Sequence, residues 1–163
     1  MSAEAYATSL CSSMQTYIDD VTNLSNSFAS TLDPSSDLAV QRDAVVGFLD
    51  DVLTITDTLI SDLEAAGVPD VEGGQAIRDA VSQSFSQART VIDDARSQVE
   101  GLSLDDPQAF ATELGNIGGA IQDSLGGIGG SLSALDSPAL SEAVAAEPAC
   151  AQLSGAPGAS GTT

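Results

Sequence analysis

Apolar residues recur every three or four positions along most of this chain, which is the spacing of one face of an α-helix. Between Tyr6 and Phe28 the apolar stripe holds for seven positions, at steps of 4, 4, 3, 4, 3 and 4. The pattern predicts four long helices, over residues 3–32, 37–66, 74–100 and 107–135.

Turn residues separate the predicted helices. Gly67 and Pro69 follow the second segment; glycine takes the left-handed conformation that ends many helices, and proline cannot continue one. Asp106 is a predicted N-cap of the fourth helix, and Pro107 occupies its first position, where the missing N–H has no cost.

The C-terminal part begins with a short fifth helix at Ser137-Pro138, which we expect to end at Glu147-Pro148, just before Cys150. Beyond it, residues 154–163 are Gly, Ser, Ala, Pro and Thr only and contain nothing large to bury. We therefore predict one helical domain, residues 1–153, followed by a disordered tail.

Two cysteines, Cys11 and Cys150, lie near the two ends of the predicted domain. They are not part of a CxxC pair and there is no histidine to complete a zinc site, which leaves a disulfide or two free thiols. Four long helices with short connections favour an up-down-up-down bundle, in which the fourth helix ends near the start of the first. The fold prediction is therefore all-α: a four-helix bundle with a short fifth helix, closed by a Cys11–Cys150 disulfide. A buried free thiol at Cys11 is the alternative.

The charge balance is strongly negative, with 24 acidic residues against four arginines and a net charge of −20. Nucleic-acid binding is disfavoured because phosphate contacts need clustered Lys or Arg. No apolar run is long enough to span a bilayer, so we expect no direct membrane insertion. Solubility is the simplest reason for the acidity; the alternatives are attraction to a basic partner or a divalent cation, and adaptation to high salt.

Catalytic chemistry has few candidate groups, because the chain lacks lysine and histidine. We expect no enzyme activity and no cofactor. Aspartates recur in adjacent pairs, which we interpret as solvated helix faces, with weak divalent-cation binding as the alternative. Three arginines of the third helix are predicted to form surface ion pairs near acidic neighbours of the same helix; the arginines are Arg78, Arg89 and Arg96, and the aspartates are Asp79, Asp93 and Asp94.

The fourth predicted helix is unusually rich in glycine. Each interior glycine costs a helix about 0.5–1 kcal/mol relative to alanine. One interpretation is close helix–helix approach or simple tolerance; the other is a deformable wall that admits a ligand or a partner. The candidate wall residues are Gly115, Gly118, Gly119, Gly126 and Gly127.

Four short motifs give the chain a resemblance to small secreted proteins and lipoproteins of actinobacteria. They are Ser9-Leu10-Cys11, the Ala66-Gly67-Val68-Pro69 turn, Asp106-Pro107 before an amphipathic helix, and Glu147-Pro148-Ala149-Cys150. The resemblance covers about residues 4 to 153 and implies a helical bundle in the cell envelope or outside the cell. It transfers no functional residues.

Three functions fit these observations. The first is a secreted or envelope-tethered interaction module that binds an unidentified protein. The second is a carrier of an apolar small molecule or lipid inside the bundle. The third is an acidic inhibitor or immunity-like protein that captures a basic partner. An internal cavity would favour the carrier, and a filled core would favour the interaction module.

Overall fold

The computed structural model describes residues 1–31, 33, 35–133 and 137–154, and at residues 31, 124–133 and 154 it describes the backbone alone. This part of the chain is all-helical, as predicted, and contains six helices. They are α1 (Ala3–Thr31), α2 (Leu38–Ala66), α3 (Gly74–Glu100), α4 (Pro107–Ser133), α5 (Pro138–Ala146) and α6 (Pro148–Ser154).

The long helices pack in chain order, α1 on α2, α2 on α3 and α3 on α4. Two ion pairs fix the direction of α3 relative to α2: Arg89 binds Asp57 and Arg96 binds Asp50. Since residue numbers rise along one helix as they fall along the other, α2 and α3 run antiparallel. A core of buried aliphatic residues and one phenylalanine fills the space between α2, α3 and α4, and its members include Leu49, Val52, Leu53, Ile92, Val99, Phe110 and Ile117.

The two short helices pack on α1 and on each other. Cys11 of α1 and Cys150 of α6 form the predicted disulfide, with Cα atoms 5.1 Å apart. On either side of it, Thr8 Oγ1 donates a hydrogen bond to Glu147 Oε2 at 2.5 Å, and Gln15 Nε2 donates one to Gln152 Oε1 at 2.5 Å. α6 therefore lies along the first half of α1 and runs in the same direction.

The sixth helix was not predicted from the sequence. We read Pro148 as the residue that ends α5, but it also begins α6, because proline is well suited to the first position of a helix. The predicted domain end at residue 153 falls within this helix. The predicted disordered tail, apart from its first residue, lies outside the described residues.

Both residues predicted to mark helix ends do so. Gly67 ends α2 with φ 78°, in the region that favours glycine, but its ψ of −149° is not that of the predicted left-handed conformation. Asp106 Oδ1 accepts hydrogen bonds from the backbone N–H groups of Gln108 at 2.8 Å and Ala109 at 3.3 Å, which is the predicted N-cap of α4.

Replacing both cysteines with alanine should lower the free energy of unfolding by about 5 kcal/mol, because the bond closes a loop across 139 positions and restricts the unfolded chain. Urea unfolding of the oxidised protein and of the Cys11→Ala/Cys150→Ala variant measures the difference. Intact mass with and without reductant is the control. Two free thiols in the native protein would contradict the pairing.

Candidate functional site

A cavity of about 260 Å³, partly open to solvent, lies beside the disulfide, between α1, α3 and the two short helices. Its described lining is almost entirely apolar, and Cys11 forms part of the wall. The lining residues are Leu10, Cys11 and Met14 of α1, Ile77, Val81 and Phe85 of α3, Leu140, Ser141 and Val144 of α5, and Leu153 of α6.

The walls of this cavity come from the apolar stripes seen in the sequence. On α3, Ile77, Val81 and Phe85 are four residues apart and so share one face, and each is less than 8% exposed. On α5, Leu140 and Val144 have the same spacing and face the cavity from the opposite side. Apolar helix faces thus pack closely in the core between α2, α3 and α4, but they leave a gap where α1 and α3 meet the two short helices α5 and α6.

Tyr6 packs at one end of the cavity, against Ala66, Ile77 and Leu140. Its side chain is buried, and burial raises the pKa of its phenol, an effect that the nearby Arg78 guanidinium partly offsets. Tyr6 therefore joins the start of α1 to α5 as a neutral, largely apolar contact.

A second apolar cavity, of about 240 Å³, lies at the other end of α1. Phe28 and Phe48 pack there with ring centroids 4.8 Å apart, and Gly118 of α4 contributes to the wall. In the described part of the chain α1 and α4 share no broad contact. The cavity thus occupies the space where these two helices face each other; its other lining residues are Val45, Leu49, Val99, Leu114, Ile117 and Ile121.

A wider groove of about 640 Å³ runs along the outside of α3 and α4. Gln98, Glu113 and Asn116 line it together with apolar residues. Because it is open to solvent and partly polar, it buries less of a small apolar molecule than the cavity beside the disulfide does.

Three of the five candidate glycines of α4, Gly115, Gly118 and Gly119, do not mark a close helix–helix approach. A Cβ atom added at Gly115, Gly118 or Gly119 would meet nothing within 4 Å. Of these three residues, Gly118 is the one that lines a described cavity. Gly126 and Gly127 fall outside the residues whose surroundings the structure describes.

The arginines of α3 pair differently from the sequence prediction. Arg78 binds its neighbour Asp79 as expected, but Arg89 and Arg96 reach across to Asp57 and Asp50 of α2 rather than to Asp93 and Asp94. Arg96 also binds Glu100 of its own helix at 3.1 Å. The bonds raise the pKa values of the Arg89 and Arg96 guanidinium groups, chiefly through hydrogen bonding to those aspartates. Since all these groups are partly exposed, each pair contributes little stability.

The structure supplies no cluster for a metal ion among the described residues, where no three acidic, histidine or cysteine side chains converge. The paired aspartates are all exposed: Asp19-Asp20, Asp50-Asp51 and Asp93-Asp94 lie on helices, whereas Asp105-Asp106 precedes α4 and Asp106 caps it. In the same described ranges, no helix has the length and hydropathy needed to cross a bilayer.

Comparison with known proteins returned no family model, no curated protein and no solved structure that matches this chain.

Replacing Gly115, Gly118 or Gly119 with alanine should raise the free energy of unfolding by about 0.5–1 kcal/mol each, because the added methyl group meets open space and alanine favours the helix. Urea unfolding measures the change. Gly74→Ala is the matched control with the opposite sign, since its Cβ would collide with the Pro69 carbonyl oxygen. A loss of stability at all three α4 positions would contradict the open surroundings of this helix.

Proposed function

We propose that this protein is an exported, non-enzymatic carrier that binds a small apolar molecule in the cavity between α1, α3, α5 and α6. The observation that supports it is the cavity of about 260 Å³ with a nearly continuous apolar lining. Ligand sites are typically concave, mostly apolar and provided with only a few polar groups.

The size of the cavity suits a molecule larger than a single aromatic ring. An apolar protein cavity of about 150 Å³ stays dry and binds benzene or xenon. At about 260 Å³ and partly open to solvent, this cavity leaves room for a short hydrocarbon chain or a pair of fused rings, and a further ring of the ligand would extend toward solvent. Burial of such a surface contributes about 25 cal/mol per Å² of apolar area removed from water, before the cost of association.

In this proposal the four long helices form an up-down-up-down bundle and the two short helices close one end of it. The antiparallel packing of α2 and α3 and the contacts of α5 and α6 with α1 support that arrangement. The disulfide supports export, since such a bond persists in an oxidising compartment. The proposed location is extracellular or in the cell envelope.

The uncharged dye N-phenyl-1-naphthylamine tests the proposal, because its fluorescence rises in an apolar site. We expect saturable binding to the oxidised protein with one main site. Val144→Phe should weaken binding at least tenfold, because the larger side chain occupies the cavity that Val144 lines. Val40→Phe is the matched control, since Val40 is 58% exposed and is outside the described linings of both apolar cavities.

The circular dichroism spectrum and the urea midpoint of both variants establish that they are folded. No saturable dye binding to the wild-type protein would exclude the carrier. Equal weakening by Val144→Phe and Val40→Phe would place the dye elsewhere.

A protein-interaction role is the second candidate, and a different observation favours it. α4 leaves Gly115 and Gly119 exposed, with open space where side chains would stand, so a partner could approach its backbone closely. We expect Gly115→Gln/Gly119→Gln to abolish capture of a defined partner from an envelope extract of the source organism while dye binding is unchanged. Capture that is insensitive to this variant would exclude α4 as the contact surface.

A further inference from the structure

The cavity offers a ligand very few polar contacts. Ser141 has the only hydroxyl among the described lining residues, and it is exposed on α5, at the edge of an otherwise apolar surface. The Cys11 sulfur is bonded to Cys150 and has no proton to donate. A bound molecule can therefore place at most a small polar group near Ser141, with the rest of it in contact with hydrocarbon.

The described lining of the cavity also contains no positively charged side chain, although the Arg78 guanidinium lies near Tyr6 at one end of it. The chain contains four arginines and no lysine or histidine, a count that covers every residue of the sequence. None of the four arginines is among the described lining residues. Each binds a carboxylate: the pairs are Arg42 with Asp43 at 2.8 Å, Arg78 with Asp79 at 2.8 Å, Arg89 with Asp57 at 2.5 Å, and Arg96 with Asp50 at 2.5 Å.

Arg78 is the arginine that comes nearest to the cavity in sequence, since it follows the lining residue Ile77 on α3. Its Nη2 atom binds Asp79, and its Nε atom is buried with no hydrogen-bond partner in the described structure. A ligand carboxylate would need this group as its counter-charge. Arg78 is therefore the residue at which recognition of an anion has to be tested.

The net charge of the whole protein also disfavours anionic ligands. At a net charge of −20, the chain repels an anionic molecule and attracts a cationic one before contact is made. A carboxylate at the exposed edge of the cavity would meet this repulsion with no positively charged side chain among the described lining residues to offset it.

From these observations we infer that the cavity selects amphiphiles whose head group is uncharged or cationic and discriminates against their carboxylate analogues. The apolar chain occupies the space between α1, α3 and α5, and the head group lies at Ser141. This inference rests on the proposed carrier function and adds the chemical class of the ligand.

A series with one chain length and three head groups tests the selectivity. Decanol, decylammonium and decanoate compete with N-phenyl-1-naphthylamine for the full-length oxidised protein at pH 7, below their aggregation concentrations. We expect decanol to displace the dye at least tenfold more effectively than decanoate, and decylammonium at least as effectively as decanol. At high salt the difference between decylammonium and decanoate should narrow, because salt screens the charge of the protein.

Two variants separate the contributions of single residues. Ser141→Ala should weaken decanol binding several-fold more than it weakens dye binding, since decanol alone loses a hydrogen bond of ordinary strength. Arg78→Gln should leave the order of the three ligands unchanged, because the inference gives Arg78 no role in binding.

The outcomes distinguish this inference from the proposed function. If decanoate binds as tightly as decanol, or if its binding is lost in Arg78→Gln, the head-group selectivity is wrong while the carrier function stands. Failure of decanol to displace a bound dye would also overturn the inference. Absence of dye binding itself would instead overturn the carrier function.

Discussion

The link between Cys11 and Cys150 is the constraint on which the described site depends. It holds α6 against the first half of α1, with side-chain hydrogen bonds from Thr8 and Gln15 on either side of it. α5 lies between α4 and α6 in the chain, so fixing α6 also limits where α5 can go. Both short helices supply walls of the cavity. The bond thus stabilises the chain and also helps to position the walls of this cavity.

The cavities follow from the kind of side chains that the chain has available. With six aromatic residues and no tryptophan, the core consists mainly of aliphatic and alanine side chains. α4 adds glycines where larger residues could have filled space, and Gly118 lines the second cavity. Dense packing is the rule for protein interiors, and unfilled space has a cost in stability. A fold whose ends are joined covalently tolerates such a cost more easily than an unlinked one.

Sequence patterns predicted the long helices well because their information is local. The period of apolar residues predicted α1 to α4. The N-cap at Asp106 marks the observed start of α4, and Gly67 marks the observed end of α2. The pattern did not predict α6, because Pro148 both ends α5 and begins α6, and a proline after a helix was taken to predict only the helix end. The partners of Arg89 and Arg96 were also assigned too locally, since the register between α2 and α3 decides them.

The cavity could not have been predicted from the same patterns. A stripe such as Ile77, Val81 and Phe85 indicates which face of a helix turns inward, but it does not indicate how closely the opposite side chains approach. That distance depends on how α5 and α6 are placed on α1, and so on a contact between residues 139 positions apart. The two short helices are held on α1 by that bond together with the hydrogen bonds of Thr8 and Gln15 and the packing of Tyr6 on Leu140. The shape of the cavity therefore follows from long-range contacts, which the local spacing of apolar residues does not encode.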